Sequence, residues 1–447
     1  MNLILLSGGS GKRLWPLSND VRSKQFLKLF QNEAGEYESM AQRLLRQLRA
    51  AFPDASVTIA TGENQKSAIL NQLGGPGVSV CCEPQRRDTF PAIALAAAYL
   101  YSEQGLGEDE PVIVCPIDPF VGPDYFAALA RLEAAVRQGT AKLVLMGAAP
   151  TYPSAKYGYF LPGPAPAGAA GADAAGDLRP VAWFREKPSE EQAAAYIAQG
   201  ALWNCGVFGF KLGYLLGVLA GYLPVKTYRE VYRRYAELPK TSFDYAVAER
   251  ETAVSCIRFE GEWKDVGTWN TLAEVMSQPA LGNVVLGGGC ENVHAVNELE
   301  QPLLVMGAKN MIVAAGPDGV LVSDKHQSSY IKPYVDGLHQ RVMFEEKSWG
   351  SFRVLLEDPR GHSMTVHLAV RAGGQMSYHC HQNRDEVWTV LSGRGRATVE
   401  GRETPLCPGA VLRLPAGARH TLQADTAMEL IEVQLGRAVE DADVEQF

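Results

Sequence analysis

The 447 residues exceed what one ordinary hydrophobic core contains, so the chain is expected to form about two or three domains. Hydrophobic residues make up 46% of it and charged residues 21%, which is the balance of a soluble globular protein. The formal net charge of −8 excludes a global basic field that would attract nucleic acid or an anionic membrane surface, so an anionic substrate requires locally placed cations.

The opening residues and the cysteines indicate the cellular compartment of the protein. The first apolar run, Leu3 to Leu6, is too short for a leader peptide, and no segment is long enough to span a bilayer. The eight cysteines are scattered and form no CxxC pair, which is typical of a reduced protein. The sequence therefore predicts a cytoplasmic protein with neither membrane nor nucleic-acid partners.

Residues 1–281 alternate between buried-strand and helical patterns. Leu3 to Leu6 and Pro111 to Cys115 are short apolar runs, whereas Ala92 to Tyr101 and Tyr125 to Arg137 carry apolar residues at helical spacing. This alternation predicts an α/β domain with a Rossmann-like, mainly parallel sheet and helices on both faces. Ligands of such sheets bind at the carboxyl ends of the strands.

The remaining chain is predicted to be all β. Residues 282–338 contain short β-rich pieces between Gly and Asp turns, which indicate a small linker element. Residues 339–447 contain alternating strands separated by glycine turns, which predict an all-β barrel or sandwich.

A glycine-rich loop directly follows the first strand. Its sequence from Leu6 to Leu17 is LSGGSGKRLWPL. Three glycines in four residues let the backbone approach a ligand, and their N–H groups can hold phosphate oxygens. The loop is neither a Walker loop nor a Rossmann fingerprint. Arg13 and Lys24 add two cations close to the loop, where the negative charge of a triphosphate would need neutralising.

These residues carry a family resemblance. The string GGSGKRLWPLS followed by SKQFL resembles the signature of sugar-nucleotide pyrophosphorylases, and Trp15 with Lys24 to Leu27 is most similar to their mannose-1-phosphate guanylyltransferase branch, also called GDP-mannose pyrophosphorylases. Seven further segments resemble that family in its own order. They lie at 83–94, 115–118, 157–159, 184–188, 203–208, 243–247 and 263–269.

The resemblance implies transfer of GMP from GTP to mannose 1-phosphate, giving GDP-mannose and pyrophosphate. Charge develops on phosphate oxygens in such a reaction, so positioning and electrostatic stabilisation carry the catalysis. By resemblance, Arg13 and Lys24 supply positive charge along the triphosphate, and Asp118 and Asp265 hold Mg²⁺ through hard oxygen ligands. These four are the candidate catalytic residues.

Two further residue sets are implied by the same resemblance. Gly158 leaves room for the sugar ring, Glu186 and Asn204 bind sugar hydroxyls, and Lys187 pairs with the sugar phosphate. The candidate nucleotide-binding residues are Leu6, Gly8, Gly9, Ser10, Gly11, Lys12, Glu83 and Arg87. Ser23, Asp88 and Pro119 depart from the family pattern, which leaves the identity of base and sugar open. A homodimer is expected only by analogy.

A second constellation lies in the predicted barrel. The spacing Gly373-x5-His379-x-His381-x4-Glu386-x6-Gly393 fits the first cupin motif, and Gly409-x5-Pro415-x-Gly417-x2-His420 fits the second except at Ala424. Histidines at i and i+2 point to one face of a strand, and Glu386 and His420 can join them from neighbouring strands. Three imidazoles and a carboxylate suit Zn²⁺, Fe²⁺, Mn²⁺ or Ni²⁺, so the metal is not identified.

This barrel resembles the phosphomannose isomerase domain that is often fused behind guanylyltransferases. The resemblance lies at 348–351, 384–388 and 431–436. His379 stands where that family has Gln, and the ending 440–447 differs from the family's. Several alternatives remain open: an isomerase, a barrel that only stabilises the protein or senses a sugar phosphate, the same transfer chemistry on another substrate pair, and a catalytically silent homologue that binds an NDP-sugar.

Overall fold

The computed structural model describes residues 1–9, 11–19, 21–164, 178–338, 341–437, 439–440 and 442–447. The α-helices within them are α1 Met40–Ala51, α2 Glu63–Leu73, α3 Thr89–Ser102, α4 Asp124–Gln138, α5 Glu190–Ala198, α6 Leu212–Tyr222, α7 Tyr228–Arg233, α8 Trp269–Ala273 and α9 Lys332–Val335. Short 3₁₀ helices lie at Lys12–Leu14, Lys24–Phe26, Tyr235–Glu237 and Gln327–Tyr330, and a π-helical turn lies at Asp244–Ala248.

The first thirteen strands are β1 Asn2–Ser7, β2 Lys28–Gln31, β3 Tyr37–Ser39, β4 Ser56–Gly62, β5 Val78–Glu83, β6 Pro111–Pro116, β7 Pro119–Val121, β8 Leu143–Ala148, β9 Tyr159–Pro162, β10 Arg179–Arg185, β11 Leu202–Lys211, β12 Val254–Phe259 and β13 Trp263–Asp265. The later strands are β14 Ala280–Gly282, β15 Val284–Leu286, β16 His294–Asn297, β17 Leu303–Val305, β18 Met311–Gly316, β19 Gly319–Asp324, β20 Phe344–Lys347, β21 Gly350–Glu357, β22 Ser363–Val370, β23 His379–Cys380, β24 Arg384–Ser392, β25 Gly395–Val399, β26 Arg402–Leu406, β27 Val411–Leu414, β28 His420–Ala424, β29 Met428–Gly436 and β30 Glu445–Gln446.

The described residues fall into two compact units, each made of separate stretches of the chain. The first unit comprises 1–9, 25–66 and 73–267. The second comprises 10–24, 67–72 and 268–447. Residues that are close in sequence, such as Gly9 and Gly11, therefore belong to different units.

The first unit contains a sheet that, among the described residues, has the strand order β5-β4-β1-β6-β11-β8-β12-β10-β9. Helix α3 packs against β1, β4 and β5, and α4 packs against β6, β8 and β11. Ile4, Phe90, Val114, Leu145 and Phe208 are buried in one core between these elements. The predicted α/β class, its early strands and its two long helices are confirmed.

The direction of the strands confirms the predicted mainly parallel sheet. β1, β4, β5 and β6 are parallel, as is β8 with β12, but β11 runs antiparallel to both β6 and β8. β10 is also antiparallel to β9 and β12. Among the described residues the sheet is therefore mainly parallel, with β10 and β11 reversed. A buried apolar run shows that a strand is covered but does not encode its direction, so the sequence did not indicate these two reversals.

The second unit begins its β structure with short strands. β14, β16 and β18 are parallel neighbours, and β15 is parallel to β17, so successive passes of the chain stack on one another. β19 closes this element antiparallel to β18. The short strands expected after residue 282 are present.

A barrel-like pair of sheets follows within the second unit. The described strands form one sheet in the order β20-β21-β22-β29-β24-β27 and another in the order β26-β25-β28-β23-β30. Along β22 half-buried and buried side chains alternate, as a strand with one face on a core requires. Val366, Leu368, Trp388, Leu422 and Leu430 are buried in that core. The predicted all-β barrel is confirmed.

The eight cysteines, all among the described residues, are free thiols. Within the same part of the chain, no helix combines the length and the apolar character needed to cross a membrane.

Candidate active site and candidate metal centre

Two aspartates lie beside the same small cavity of the first unit. Asp118 follows β6 and precedes β7, and Asp265 ends β13. β7 and β13 are antiparallel, and their register places Asp265 opposite Pro119, the residue next to Asp118. Both aspartates line a cavity of about 260 Å³. Two carboxylates beside space for a phosphorylated ligand fit Mg²⁺, which is usually held by one or two carboxylates together with substrate phosphates.

The predicted sugar-binding residues line that same cavity. Gly158, Glu186, Lys187 and Asn204 all contribute to its wall. The Lys187 ammonium lies 3.2 Å from Oε1 of Glu186, and Lys187 adopts a left-handed backbone with φ 46°. Such a backbone is strained for a residue with a Cβ, and strained conformations cluster at functional sites. The structure thus brings six of the predicted residues together.

Burial changes the ionisation of Glu186. Its pKa is raised to about 7, first because burial disfavours the carboxylate and second because the Asp244 carboxylate is near. Lys187 opposes this rise. Glu186 can therefore change between hydrogen-bond donor and acceptor near neutral pH.

Sequence reasoning missed Asp244 as a member of the site. Asp244 begins the π-helical turn and lines the cavity, and Nδ2 of Asn204 donates to its Oδ1 at 2.7 Å. Oδ1 of Asn204 in turn accepts from the Gly206 N–H at 3.1 Å, so the amide orientation is set from both ends. The signal was present, because Asp244 stands in the matched segment 243–247, but its spacing from Asn204 is non-local.

Two aromatic residues also line the cavity without having been predicted. The rings of Tyr157 and Trp263 are 5.8 Å apart, and each belongs to a matched segment. Aromatic rings beside a polar cavity offer a rigid apolar wall for a sugar ring.

The predicted nucleotide-binding residues of the first unit lie elsewhere along the carboxyl edge of the sheet. The Leu6 carbonyl accepts from the Ile117 N–H at 3.1 Å, and Gly8 and Gly9 follow β1 directly. Gly9 has φ 97°, and its carbonyl accepts from Nε2 of Gln65 at 3.1 Å. None of these described residues lines the aspartate cavity.

Glu83 and Arg87 are tied to one neighbouring segment. Oε2 of Glu83 accepts from the Tyr235 hydroxyl at 2.6 Å, and Nε of Arg87 donates to the Leu238 carbonyl at 2.9 Å. Burial raises the pKa of Glu83, and the Tyr235 hydroxyl opposes that rise. The segment around Tyr235 therefore orients both side chains at the carboxyl end of β5.

The other members of the glycine-rich loop belong to the second unit. Gly11, Lys12 and Arg13 lie at the 3₁₀ turn Lys12–Leu14, and Lys24 begins the next 3₁₀ turn. Arg13 is exposed and Lys24 is half-buried. Ser10, also predicted to bind nucleotide, lies outside the described residues.

The three predicted histidine ligands form a cluster in the barrel. His379 on β23 is paired directly with His420 on β28, and His381 follows two residues after His379. One ligand atom from each lies within 4.8 Å of the others. Among the described residues this is the group of three or more metal-ligating side chains that the structure brings together.

Backbone carbonyls orient all three rings. Nδ1 of His379 lies 2.8 Å from the Ser377 carbonyl and Nδ1 of His420 lies 2.8 Å from the Ala418 carbonyl, while Nδ1 of His381 contacts the Asp443 carbonyl. A carbonyl accepts but never donates, so each Nδ1 carries the proton. In a neutral ring Nε2 then presents its lone pair, which is the arrangement of a metal-ligating histidine. At His381 that lone pair faces Nη2 of Arg384 at 3.2 Å.

Glu386 completes the cluster. Its Oε1 lies 3.0 Å from Nε2 of His381, and its Oε2 lies 3.4 Å from Nε2 of His420. Oε2 of Glu386 and Nε2 of His420 are buried atoms without a hydrogen-bond partner among the described residues. Buried polar atoms without partners are costly, and a cation bound by both would relieve that cost. The donor set therefore fits a transition metal or Zn²⁺.

Electrostatics favour a neutral ring at His379, whereas the pKa of His420 is raised, against the effect of burial, by the Glu386 carboxylate. Burial lowers the pKa of His379 to about 4, so its ring is neutral at pH 7 and available as a ligand. The pKa of Glu386 is lowered despite burial, because the His381 and His420 rings lie directly beside its carboxylate. A neutral imidazole beside a carboxylate is the state that metal binding requires.

The cluster opens into a cavity of about 770 Å³ within the second unit. Sequence reasoning assigned no role to Arg384, Glu432 and Gln434, which line it together with His379 and His381. These residues were visible in the segments 384–388 and 431–436, where alternation on β24 and β29 could have placed them on the inner face.

Glu432 is the most unusual of these residues. It is buried, its Oε2 accepts from Nε1 of Trp388 at 2.9 Å, and its Oε1 accepts from Nε2 of Gln434 at 2.5 Å. Burial and the nearby Glu386 carboxylate raise its pKa to about 7. A carboxyl poised near neutral pH in a cavity is a candidate acid or base.

The atypical C-terminal ending takes part in this site. The Asp443 carbonyl orients His381, its carboxylate accepts from the N–H groups of Gln382 and Asn383 at 3.0 Å each, and β30 pairs with β23. The ending therefore supports the histidine-bearing strand even though it differs from the family pattern.

Two protein families match the chain. Residues 2–280 match the family described as Nucleotidyl transferase, and residues 366–434 match the Cupin domain family. The aspartate cavity lies within the first match and the histidine cluster within the second. The class is therefore a nucleotidyl transferase that carries a cupin domain.

Relatives extend over the whole chain. A mannose-1-phosphate guanylyltransferase from Escherichia coli is 30% identical over 99% of this chain and 97% of its own length. The xanthan biosynthesis protein XanB of Xanthomonas campestris pv. campestris (strain B100) is also 30% identical, over 99% of this chain and 97% of its own. A crystal structure from Thermus thermophilus, described as a mannose-1-phosphate geranyltransferase, aligns with a TM-score of 0.60 and 31% identity over 75% of this chain and 98% of that one. The chain belongs to the mannose-1-phosphate guanylyltransferase family.

Proposed function

We propose that this chain transfers GMP from GTP to mannose 1-phosphate, forming GDP-mannose and pyrophosphate. The observation that carries the proposal is the single cavity lined by Asp118, Asp265, Glu186, Lys187 and Asn204. It combines two carboxylates suited to Mg²⁺ with a cation and hydrogen-bonding groups suited to a sugar phosphate. Family membership supplies the expectation of guanine and mannose.

The reaction makes one bond and breaks one bond. A phosphate oxygen of the sugar attacks the α-phosphorus of GTP, and the bond from that phosphorus to the bridging oxygen of pyrophosphate breaks. Asp118 and Asp265 would hold Mg²⁺, which neutralises phosphate charge when bound. Lys187 binds the attacking phosphate, while Glu186 and Asn204 orient the sugar through its hydroxyls.

The remaining candidate residues act on the nucleotide. Arg13 and Lys24 neutralise charge that develops along the triphosphate. Backbone N–H groups of the glycine-rich loop, 8–11, hold phosphate oxygens, and Glu83 and Arg87 contact base and ribose. We also infer a transferase domain at 1–281, a β linker at 282–338 and a cupin domain at 339–447.

A matrix of nucleoside triphosphates against sugar 1-phosphates tests the proposal through pyrophosphate release. We expect the highest kcat/KM with GTP and mannose 1-phosphate, and a requirement for Mg²⁺. A higher value with another pair would reassign the substrates. Pyrophosphate release from no pair at all would favour the silent NDP-sugar-binding homologue, for which Asp118→Ala would change nothing.

A second activity is proposed for the barrel, the interconversion of mannose 6-phosphate and fructose 6-phosphate. The observation that favours it is Glu432, a carboxyl with a pKa near 7 in the cavity that also contains the histidine cluster. Glu432 would remove the proton at C2 of the open-chain aldose and return it to C1, while a proton passes from the C2 hydroxyl to O1 by way of the enediol, so the carbonyl moves from C1 to C2 and no atom is lost. Lys347 and Arg384 line the same cavity and can receive the phosphate.

Metal analysis followed by an isomerase assay tests this second proposal. We expect a metal-replete protein to isomerise mannose 6-phosphate and the Glu432→Gln variant to lose that activity while it keeps its metal. A metal-replete wild-type protein without isomerase activity would leave the barrel a structural or sensory module.

A further inference from the structure

The described residues 11–19 and 21–24 carry both candidate catalytic cations, and the two ends of this stretch, Gly11 and Lys24, lie against each other. Gly11 has φ 57°, and a Cβ placed there would lie 2.8 Å from the Lys24 backbone nitrogen, so only glycine allows this approach. The Ser18 hydroxyl donates to the Gly11 carbonyl from inside the loop. Arg13 and Lys24 are thus held near the two touching ends of one closed loop.

Arg22 attaches this loop to the β element of the second unit. Its two terminal nitrogens donate to the two carboxylate oxygens of Glu298 at 2.7 and 2.9 Å, and the ion pair is largely buried, with side-chain exposures of 11% and 23%. The same guanidinium donates to the Leu17 carbonyl at 3.2 Å and lies 4.8 Å above the Phe344 ring. A bidentate, partly buried pair fixes orientation as well as distance.

Asp318 provides a second attachment. Nδ2 of Asn19 donates to one of its carboxylate oxygens at 2.7 Å, and the Met343 N–H donates to the other at 3.0 Å. Oδ1 of Asn19 accepts from the N–H groups of Val21 and Arg22 at 2.9 and 2.7 Å. Asp318 is 8% exposed, so this bridge joins the loop to the first residues of the barrel through a buried carboxylate.

Trp15 provides a third attachment. Nε1 of the buried Trp269 donates to the Trp15 carbonyl at 3.0 Å. A Cβ on Gly319 would lie 2.6 Å from the Trp15 ring, which shows how closely that ring packs on β19. All three attachments lie within the second unit, more than 240 residues along the chain from the loop.

We propose that Glu298 and Asp318 are positioning residues for nucleotidyl transfer, because they hold the loop that presents Arg13 and Lys24. The inference rests on the proposed function of those two cations. Arg22 is two residues from Lys24, so the direction of the Arg22–Glu298 pair sets the backbone that carries Lys24. Charges placed for a phosphoryl transition state lose effect when they shift by about 1 Å. The C-terminal half thereby contributes to the chemistry without touching substrate.

Three variants of the full-length protein test this role: Glu298→Gln, Asp318→Asn and the double variant Arg22→Gln/Glu298→Gln. We expect each to lower kcat for GDP-mannose formation about tenfold. We expect the KM for mannose 1-phosphate to change by less than about twofold, because the sugar site lies in a cavity that the loop does not line. The double variant should have a kcat no lower than that of Glu298→Gln, because both residues belong to one contact.

Glu291→Gln is the matched control. Glu291 pairs with Lys309 at 2.9 Å in the same β element, where the side chain of Glu291 is 67% exposed and that of Lys309 is 60% exposed. This pair joins two positions of the β element to each other rather than to the loop. This variant should keep wild-type kcat. Circular dichroism and thermal melting establish that each protein is folded at the assay temperature. If Glu298→Gln does not fold, Asp318→Asn still tests the role, because its side chain keeps one acceptor oxygen.

Two results would overturn the inference. One is wild-type kcat in folded Glu298→Gln and Asp318→Asn, and the other is a loss of activity that only follows the folded fraction. A wild-type protein that releases no pyrophosphate from GTP would instead refute the proposed function, and the inference would fall with it.

Discussion

Gly158 and Glu186 lie so close in the aspartate cavity that a methyl group on Gly158 would come within 2.4 Å of Oε2 of Glu186. The same methyl would lie 3.1 Å from the Phe184 ring. The flexible carboxylate can move away, but only by leaving the position from which it would bind a sugar hydroxyl.

Gly158→Ala is therefore expected to raise the KM for mannose 1-phosphate about tenfold, which corresponds to the loss of one charge-assisted hydrogen bond. Its melting temperature should stay close to that of the wild type. Steady-state kinetics with varied sugar phosphate measure the effect. Gly75→Ala is the control, because Gly75 is exposed and a Cβ there meets no atom within 4 Å. An unchanged KM in Gly158→Ala would contradict this account.

The carboxylates of Asp118 and Asp265 should govern the dependence on Mg²⁺. Asp118→Asn and Asp265→Asn keep the side-chain shape but remove the charge that holds the cation, so kcat is expected to fall on the order of 10²-fold or more. When pyrophosphate release is measured at increasing Mg²⁺ concentrations, both variants should need more Mg²⁺ than the wild type to reach half of their maximal rate. Asp109→Asn should behave as wild type, since Asp109 is 97% exposed at the surface. Normal Mg²⁺ saturation in both site variants would disprove the assignment.

The ionisation of Glu186 predicts a pH effect with a definite sign. Burial and the Asp244 carboxylate raise its pKa to about 7, so folding favours its protonated form. The stability that Glu186 contributes is thus greatest below the ordinary pKa of glutamate and declines as pH rises from there through about 7. Above pH 7 the carboxylate accepts hydrogen bonds from sugar hydroxyls, so the KM for mannose 1-phosphate should fall as pH rises through 7.

Kinetics between pH 6 and 8, paired with melting temperatures, measure both consequences. The Glu186→Gln variant should lose the pH-dependent part of the KM that has its midpoint near 7. Comparison of the two proteins removes the contribution from ionisation of the substrate phosphate. Identical pH profiles for the two proteins would show that Glu186 does not titrate in the site.

The histidine cluster predicts a bound metal and a link between metal and stability. His381→Ala removes a ligand whose Nδ1 is oriented by the Asp443 carbonyl, so the purified protein should contain less metal and melt at a lower temperature. Elemental analysis and melting with and without a chelator provide the readouts. His362→Ala is the control in the same barrel, since His362 is exposed and outside the cluster. Equal metal content in both variants would exclude the proposed ligand set.

Local features of the chain were readable from the sequence alone. The apolar run of β1 and the helical spacing of α3 and α4 specify their elements, because hydrophobic periodicity is a property of neighbouring residues. The same holds for His379 and His381, since alternate residues of a strand share a face whatever the strand pairs with. The order of the matched segments likewise indicated the family and the chemistry.

Long-range pairing decided the rest. The register of β7 with β13 brings Asp118 next to Asp265, and the hydrogen bond from Asn204 brings Asp244 into the cavity. The antiparallel course of β11 and the inclusion of residues 10–24 in the second unit also depend on contacts between distant segments. Nothing local to Arg22 predicts its pairing with Glu298, because the two charges attract each other strongly only after folding has brought them together in a partly buried place. The sequence alone therefore determined which groups the protein carries, and the tertiary structure determined which of them act together.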